Sequence, residues 1–284
     1  MVLERLVPFK KLKDSYLLIF LFAYLFVSIA VILTARFYPQ GAGLFIVCLT
    51  VLPSIPFFYK LASEEEITYE QHANARERIH TYEHVLKVYF VFFLSVILSF
   101  AFWASVLPQE VSTSLFSYQR TEFQRLSSIT SNASAVIMSK ELVINTIFTN
   151  NVQVLLLMLF FSFIYSIGAI FLLVWNASII GILLEAPIRY YALKFAYLGL
   201  LAFPAGFFIG LLSGAKRTIF HGSLEFLAFF LASIGGGVSS IAVERQFYKS
   251  PIFKTMLKDI ALLILLSVVL LLLGAVVEAS ILGV

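Results

Sequence analysis

Charge is scarce in this chain. Lys, Arg, Asp and Glu make up only 13% of its 284 residues, where a soluble globular protein carries about a quarter. Cysteine is scarcer still, since Cys48 stands alone. An intramolecular disulfide is therefore excluded, and so are structural zinc sites built from several cysteines. The sequence holds no glycine-rich phosphate loop, no Gly-x-Ser-x-Gly elbow and no His-Glu-x-x-His element, so the signatures of nucleotide cradling, serine hydrolysis and zincin chemistry are missing. Basic residues are not interleaved with aromatics, and nucleic acid is not an expected partner. The net charge of +4 fits anionic lipid headgroups and membrane topology better.

What is present is apolar surface. The chain is 61% hydrophobic, with 30 Phe and 13 Tyr, and its mean hydropathy is +0.96. Several uncharged runs reach the roughly 20 residues needed to cross a hydrocarbon core of about 30 Å. The expected fold is an all-α, polytopic bundle of about seven transmembrane spans. The basic N-terminus and the long apolar run after it read as a signal anchor rather than a cleavable signal.

A first span is expected over about Ser15–Ala35 and a second over Ala42–Tyr59, kinked near Pro53 and Pro56. Together they form an N-terminal hairpin, residues 1–62. The charged stretch 63–87 suits a cytoplasmic helix with a capping-box-like start at Ser63-Glu-Glu-Glu66. A third span follows over about Val88–Leu107. Residues 109–141 form a polar, extracytoplasmic segment with some helix, carrying the sequon Asn132-Ala-Ser134. The uncharged stretch from Leu142 to Leu184 is too long for one helix. It reads as a span over Asn151–Trp175, a break at Asn176, and a short or re-entrant piece containing Gly181 and ending near Pro187. The last three spans are expected over Phe195–Leu212 (interrupted by Pro204), Phe220–Val243 and Ile260–Leu282. Basic residues at Lys60, Arg76, Arg78, Lys87, Arg189, Lys194, Arg245, Lys249, Lys254 and Lys258 then fall inside. The N-terminus is cytoplasmic and the C-terminus extracytoplasmic in a multi-pass cell-membrane protein; Lys216 and Arg217 oppose the bias.

In so apolar a chain, ionisable residues at membrane depth mark sites by default. His221 and Glu225 are spaced to share one helix face. Glu278, late in the last span, and Asn150 with Asn151, at the start of the fourth, fall at the same level. These five residues form a candidate polar cluster. A structural His–Glu hydrogen bond between helices is the plainest reading. A proton or metal site through His221, Glu225 and Glu278 is the sharper one, although two ligands alone do not hold a metal. No cofactor is indicated. Gly222, Gly235, Gly236 and Gly237 offer close helix packing in lipid. His72, His80 and His84 sit in the charged stretch and read as a solvated face.

Four elements carry a family resemblance: Phe148 to Val154 leading into a span, Asn176 to Gly181 after it, His221-Gly-Ser-Leu-Glu225, and Val277-Glu278-Ala279. In this order they resemble the SpoIIM family, the stage II sporulation protein M-like membrane proteins, over about residues 82–284. Where that family shows Asn-Gly, this chain has Asn176-Ala177, which removes support for a tight turn there. The resemblance implies a five-span domain, residues 88–284, in a protein that forms homo-oligomers (dimers) and acts as an assembly partner. In sporulating bacteria the family member works with peptidoglycan-degrading proteins during engulfment.

Three functional readings follow. A membrane scaffold would recruit membrane or extracytoplasmic proteins through 109–141. A transporter or channel would carry a small polar or ionic solute past the broken spans. An intramembrane metal-dependent hydrolase would need a fuller ligand set than His221, Glu225 and Glu278. The absence of a complete catalytic constellation favours a non-enzymatic scaffold.

Overall fold

The computed structural model describes residues 9–38, 42–71, 75–125, 140–164, 168–244, 246–249 and 253–281. Side chains are described there except at 64–71, 75–81, 217–221, 241 and 247. All regular structure among these residues is helical. The elements are α1 (Phe9–Lys13), α2 (Tyr16–Phe37), α3 (Gly43–Gln71), α4 (Ala75–Val106), α5 (Gln109–Leu115), α6 (117–125), α7 (Lys140–Ile164), α8 (Gly168–Leu183), α9 (Glu185–Lys194), α10 (Ala202–Glu244) and α11 (Phe253–Ile281). A turn of 3-10 helix, Ala196–Leu201, joins α9 to α10.

Ser15 starts α2 by accepting a hydrogen bond from the Leu18 amide, which occupies one of the orphan donors at a helix start. Hydroxyls at Thr34, Thr50, Ser54, Ser99 and Ser105 donate back to the carbonyl one turn earlier. Each therefore enters the apolar interior without an unmet donor. Pro53 and Pro56 lie inside α3, which still continues to Gln71. No separate helix forms over 63–87. Its first part prolongs α3 and its second opens α4, since glutamates are good helix formers and no breaker stands at either junction.

Two ends of the bundle can be told apart. At the near end, Phe9 packs on Phe57 and the Tyr59 hydroxyl donates to Glu244. At the far end, Gly43, Gln119 and Ser178 meet. α2 climbs beside α4, as Ser95 donates to the Phe20 carbonyl and the Trp103 indole donates to Ser28. α3 descends, bringing Phe58 against Tyr89 and Phe92. α7 descends and α8 climbs, so that Gly181 lies against Ile97, Phe100 and Ala101. The second half of α10 descends, placing Phe226 on Phe93 and Phe230 on Tyr89. α11 climbs, and Val143, Ile147, Ala275 and Ala279 close a small core.

Among the described residues, eight helical segments are long and apolar enough to cross a membrane, against the seven expected. The uncharged stretch from Leu142 to Leu184 holds two passes, α7 and α8. The break expected at Asn176 comes later, at Leu184. Asn176 lies within α8 and donates to the Leu172 carbonyl, which satisfies its amide inside the helix. Pro187 denies Leu183 its i+4 donor, which fits the interruption of the helix at Leu184. The segment expected as a fifth span is long and apolar enough to be one, and it pairs with α9 as a hairpin. Gly206 packs on Ala192, Gly210 on Ile188, and Gly214 on Leu184. The chain thus leaves Leu184 and returns to its level before α10 descends. Pro204 stands in the first turn of α10, where no intrahelical N–H bond is lost.

Candidate functional site

The polar end of the bundle is built on Glu185, only 2% exposed. It sits in the first turn of α9, where a carboxylate also complements the helix dipole. Arg189 follows one turn later, and its Nε donates to Glu185 Oε1 at 2.8 Å. Arg120, from α6, donates to Glu185 Oε2 and, at 3.1 Å, to the Ser112 hydroxyl. Ser112, from α5, donates in turn to Glu185 Oε1 at 3.2 Å. Arg189 also donates to the carbonyls of Ala104 and Leu107, both at 2.6 Å, which caps the C-terminal end of α4. One buried carboxylate thus ties together α4, the α5–α6 segment and the hairpin.

A second anchor stands beside it. Gln119 is fully buried, and its amide donates to the Gly43 carbonyl at 3.0 Å and to the Ser178 hydroxyl at 3.3 Å. A side chain at Gly43 would run into Gln119, so glycine is what lets the two helices meet there.

The residues singled out in the sequence are only partly brought together. Asn151 Nδ2 donates to Glu225 Oε1 at 2.6 Å, about midway along α7. Glu278, from α11, lies within electrostatic reach of Glu225. It is Asn151, and not the half-buried Asn150, that faces Glu225. His221 belongs to α10, but its side chain is outside the described residues, as are those of His72 and His80 and the sequon at Asn132. Among the described residues, no three His, Cys, Asp or Glu side chains gather at one point.

The glycines divide by what they touch. A Cβ on Gly181 would meet the Phe100 Cβ at 2.6 Å, and one on Gly236 would meet the Ser162 Cβ at the same distance. Gly235 has only ordinary contacts with Leu263, Gly222 faces the Phe226 ring, and Gly237 is buried.

The ion cluster was not foreseen. Glu185 and Arg189 have the i, i+4 spacing of a helical ion pair, which was the readable signal. The charge bias alone reads Arg189 as an inside residue. Its bonds to Ala104 and Leu107 place it at the far end, beside the segment expected outside. Arg120, the third partner, is a tertiary neighbour that no local pattern reveals.

Residues 89–281 match the family described as stage II sporulation protein M. The chain belongs to the SpoIIM family. No curated protein and no solved structure matches it. The SpoIIM match spans Arg120, Glu185 and Arg189 as well as Asn151, Glu225 and Glu278, so both polar centres belong to the family's part of the chain. It begins just after the charged stretch, within the 82–284 limits of the sequence resemblance.

Replacing Asn151 with leucine leaves the Glu225 carboxyl without its donor at membrane depth, a loss of about 1–3 kcal/mol. Glu225→Gln keeps an acceptor for the Asn151 amide and is expected to cost less. Thermal unfolding in detergent checks this order. Equal losses, or a larger one in Glu225→Gln, would contradict the pairing.

Proposed function

We propose that this SpoIIM-family protein is a membrane scaffold that presents residues 109–125 as a rigid docking platform to partner proteins. One observation carries the reading. Residues 109–125 are fastened from below by Ser112, Gln119 and Arg120, while Tyr118, Phe123 and Arg125 face outward. A mere connecting loop has no need of a buried ion cluster beneath it. Exposed aromatic and arginine side chains on a fixed base are what protein interfaces draw on.

In this reading the near end faces the cytoplasm, where Lys10, Lys11, Lys13, Lys60, Arg76, Arg78 and Lys87 concentrate. The platform and the C-terminus lie outside. Residues 1–62 and 63–87 are an N-terminal addition to the SpoIIM-like part, 88–284, and the protein works as a homodimer. A photo-crosslinking amino acid at Tyr118 or Phe123 is expected to give a discrete protein adduct in native membranes. Glu225→Gln is expected to retain it, and Glu185→Gln, which releases the base under Ser112 and Arg120, to lose it. An adduct unchanged in Glu185→Gln would sink the reading.

A second reading rests on the Asn151–Glu225 pair with Glu278 in reach, a polar centre inside spanning helices of the kind that handles ions. It takes the protein as a transporter or channel for a small ionic or polar solute. Cation flux in proteoliposomes, abolished by His221→Ala and Glu225→Gln, would put this reading first. Wild-type flux no greater than that of empty vesicles would remove it.

A further inference from the structure

The α9–α10 hairpin has no role in the platform's outward face, yet among the described residues it is the most exposed apolar segment. Leu193, Tyr197, Leu201, Phe208 and Leu212 are all largely uncovered, and Leu200 at the tip is 98% exposed. No charge interrupts the chain from Phe195 to Ala215. The run is long enough to span a bilayer, but the glycine-mediated pairing of its legs returns it to the level of Leu184.

We propose that this hairpin, Glu185 to Lys216, is a lipid-binding wedge inserted into one leaflet only, the leaflet at the far end. Three further observations favour acyl chains over a protein partner as its occupant. Phe203 and Phe207 seat the second leg on Phe102 of α4, while the tip and the outer sides of both legs are bare, without the polar rim that surrounds a protein interface. The tip also satisfies its own backbone. The Leu198 amide donates to the Phe195 carbonyl at 2.8 Å, and the Ala202 amide donates to the Gly199 carbonyl. Lipid-exposed backbone requires such internal bonding. Gly199 supplies the positive-φ turn this closure needs, with φ 57°, which glycine adopts without steric cost. Finally, Lys194 lies over the Tyr191 ring at 5.8 Å, close to Tyr190 and Tyr197 in sequence. Lysine and tyrosine together mark the headgroup level. The legs therefore lie shallow, tilted into the outer part of the leaflet. A wedge of this kind displaces lipid from one leaflet and not the other.

The test places a bimane fluorophore on Leu200→Cys in a Cys48→Ala background. The purified protein is reconstituted in mixed phosphatidylcholine and phosphatidylglycerol vesicles. Leu200 packs on nothing, so the replacement leaves the fold intact; Leu212→Cys serves as a second reporter. Stronger quenching by lipids carrying a nitroxide near the headgroup than by chain-end nitroxide or aqueous iodide is the expected result. Dominant iodide quenching would mean a hairpin projecting into water. Dominant chain-end quenching would mean a deep or crossing segment, and weak quenching by all three would mean cover by a second copy. Each of these three overturns the wedge. None of them bears on the 109–125 platform, whose crosslinking test is independent.

Discussion

Glu185→Ala is expected to lower the stability of the purified protein by about 3–5 kcal/mol, because breaking a buried ion pair strands the partners it neutralised. Here the stranded partners are Arg120 and Arg189, two guanidinium groups converging on one vacated site. At this chain length that loss is on the order of 10 °C in unfolding temperature. Arg189 would keep its bonds to the Ala104 and Leu107 carbonyls, so the damage should concentrate on the α5–α6 side. Limited proteolysis separates the two effects. Cleavage within 109–125 is expected to appear in Glu185→Ala well below its unfolding temperature. A variant as stable and protease-resistant as wild type would show that the cluster holds nothing in place. Combining Arg120→Met with Glu185→Met should recover part of the loss, since a well-packed apolar substitute often equals a buried ion pair.

Gly181→Leu should be nearly as damaging, for a steric reason. A Cβ at this position meets the Phe100 Cβ at 2.6 Å and the Ile97 carbonyl oxygen at 2.7 Å. Backbone cannot yield as a flexible side chain does, so α8 must move away from α4. Overpacking of this kind costs about 1–3 kcal/mol where side chains can adjust, and more is expected here. The separation would also pull Ser178 from Gln119, loosening the platform's second anchor. Gly235→Ala is the control. Its Cβ would lie 3.6 Å from Leu263, an ordinary contact, and alanine favours the helix. Thermal unfolding of the two variants should show a large drop for the first and little or none for the second. Similar behaviour in both would contradict the tight α4–α8 crossing.

The membrane class and helical fold were legible because hydrocarbon imposes one rule on every span. Each must be apolar, about 20 residues long and internally hydrogen-bonded. The rule finds α2, α3, α4 and α11 directly. It misled at Leu142 to Leu184, where a polar start conceals that Lys140–Ile164 is one helix. At Phe195–Leu212 the composition is that of a span, and the pairing with α9 is that of a hairpin. Only the contacts of Gly206, Gly210 and Gly214 distinguish the two, and they are tertiary. In the candidate site, the meeting of Asn151 with Glu225 joined residues from helices distant in sequence, which span order suggested and local pattern did not. The Glu185 cluster escaped for the opposite reason. Its residues look like ordinary topology-setting charges until the end of α4 is seen to accept from Arg189.

The central claim is that the buried cluster exists to hold a docking surface. Photo-crosslinking from Tyr118, in wild type beside Glu185→Gln, tests it most directly. Glutamine keeps the size of the side chain but removes the charge that gathers Arg120 and Arg189. A discrete protein adduct is expected in wild type, lost or scattered in Glu185→Gln at a temperature where the bundle is still folded. An identical adduct in both would contradict it.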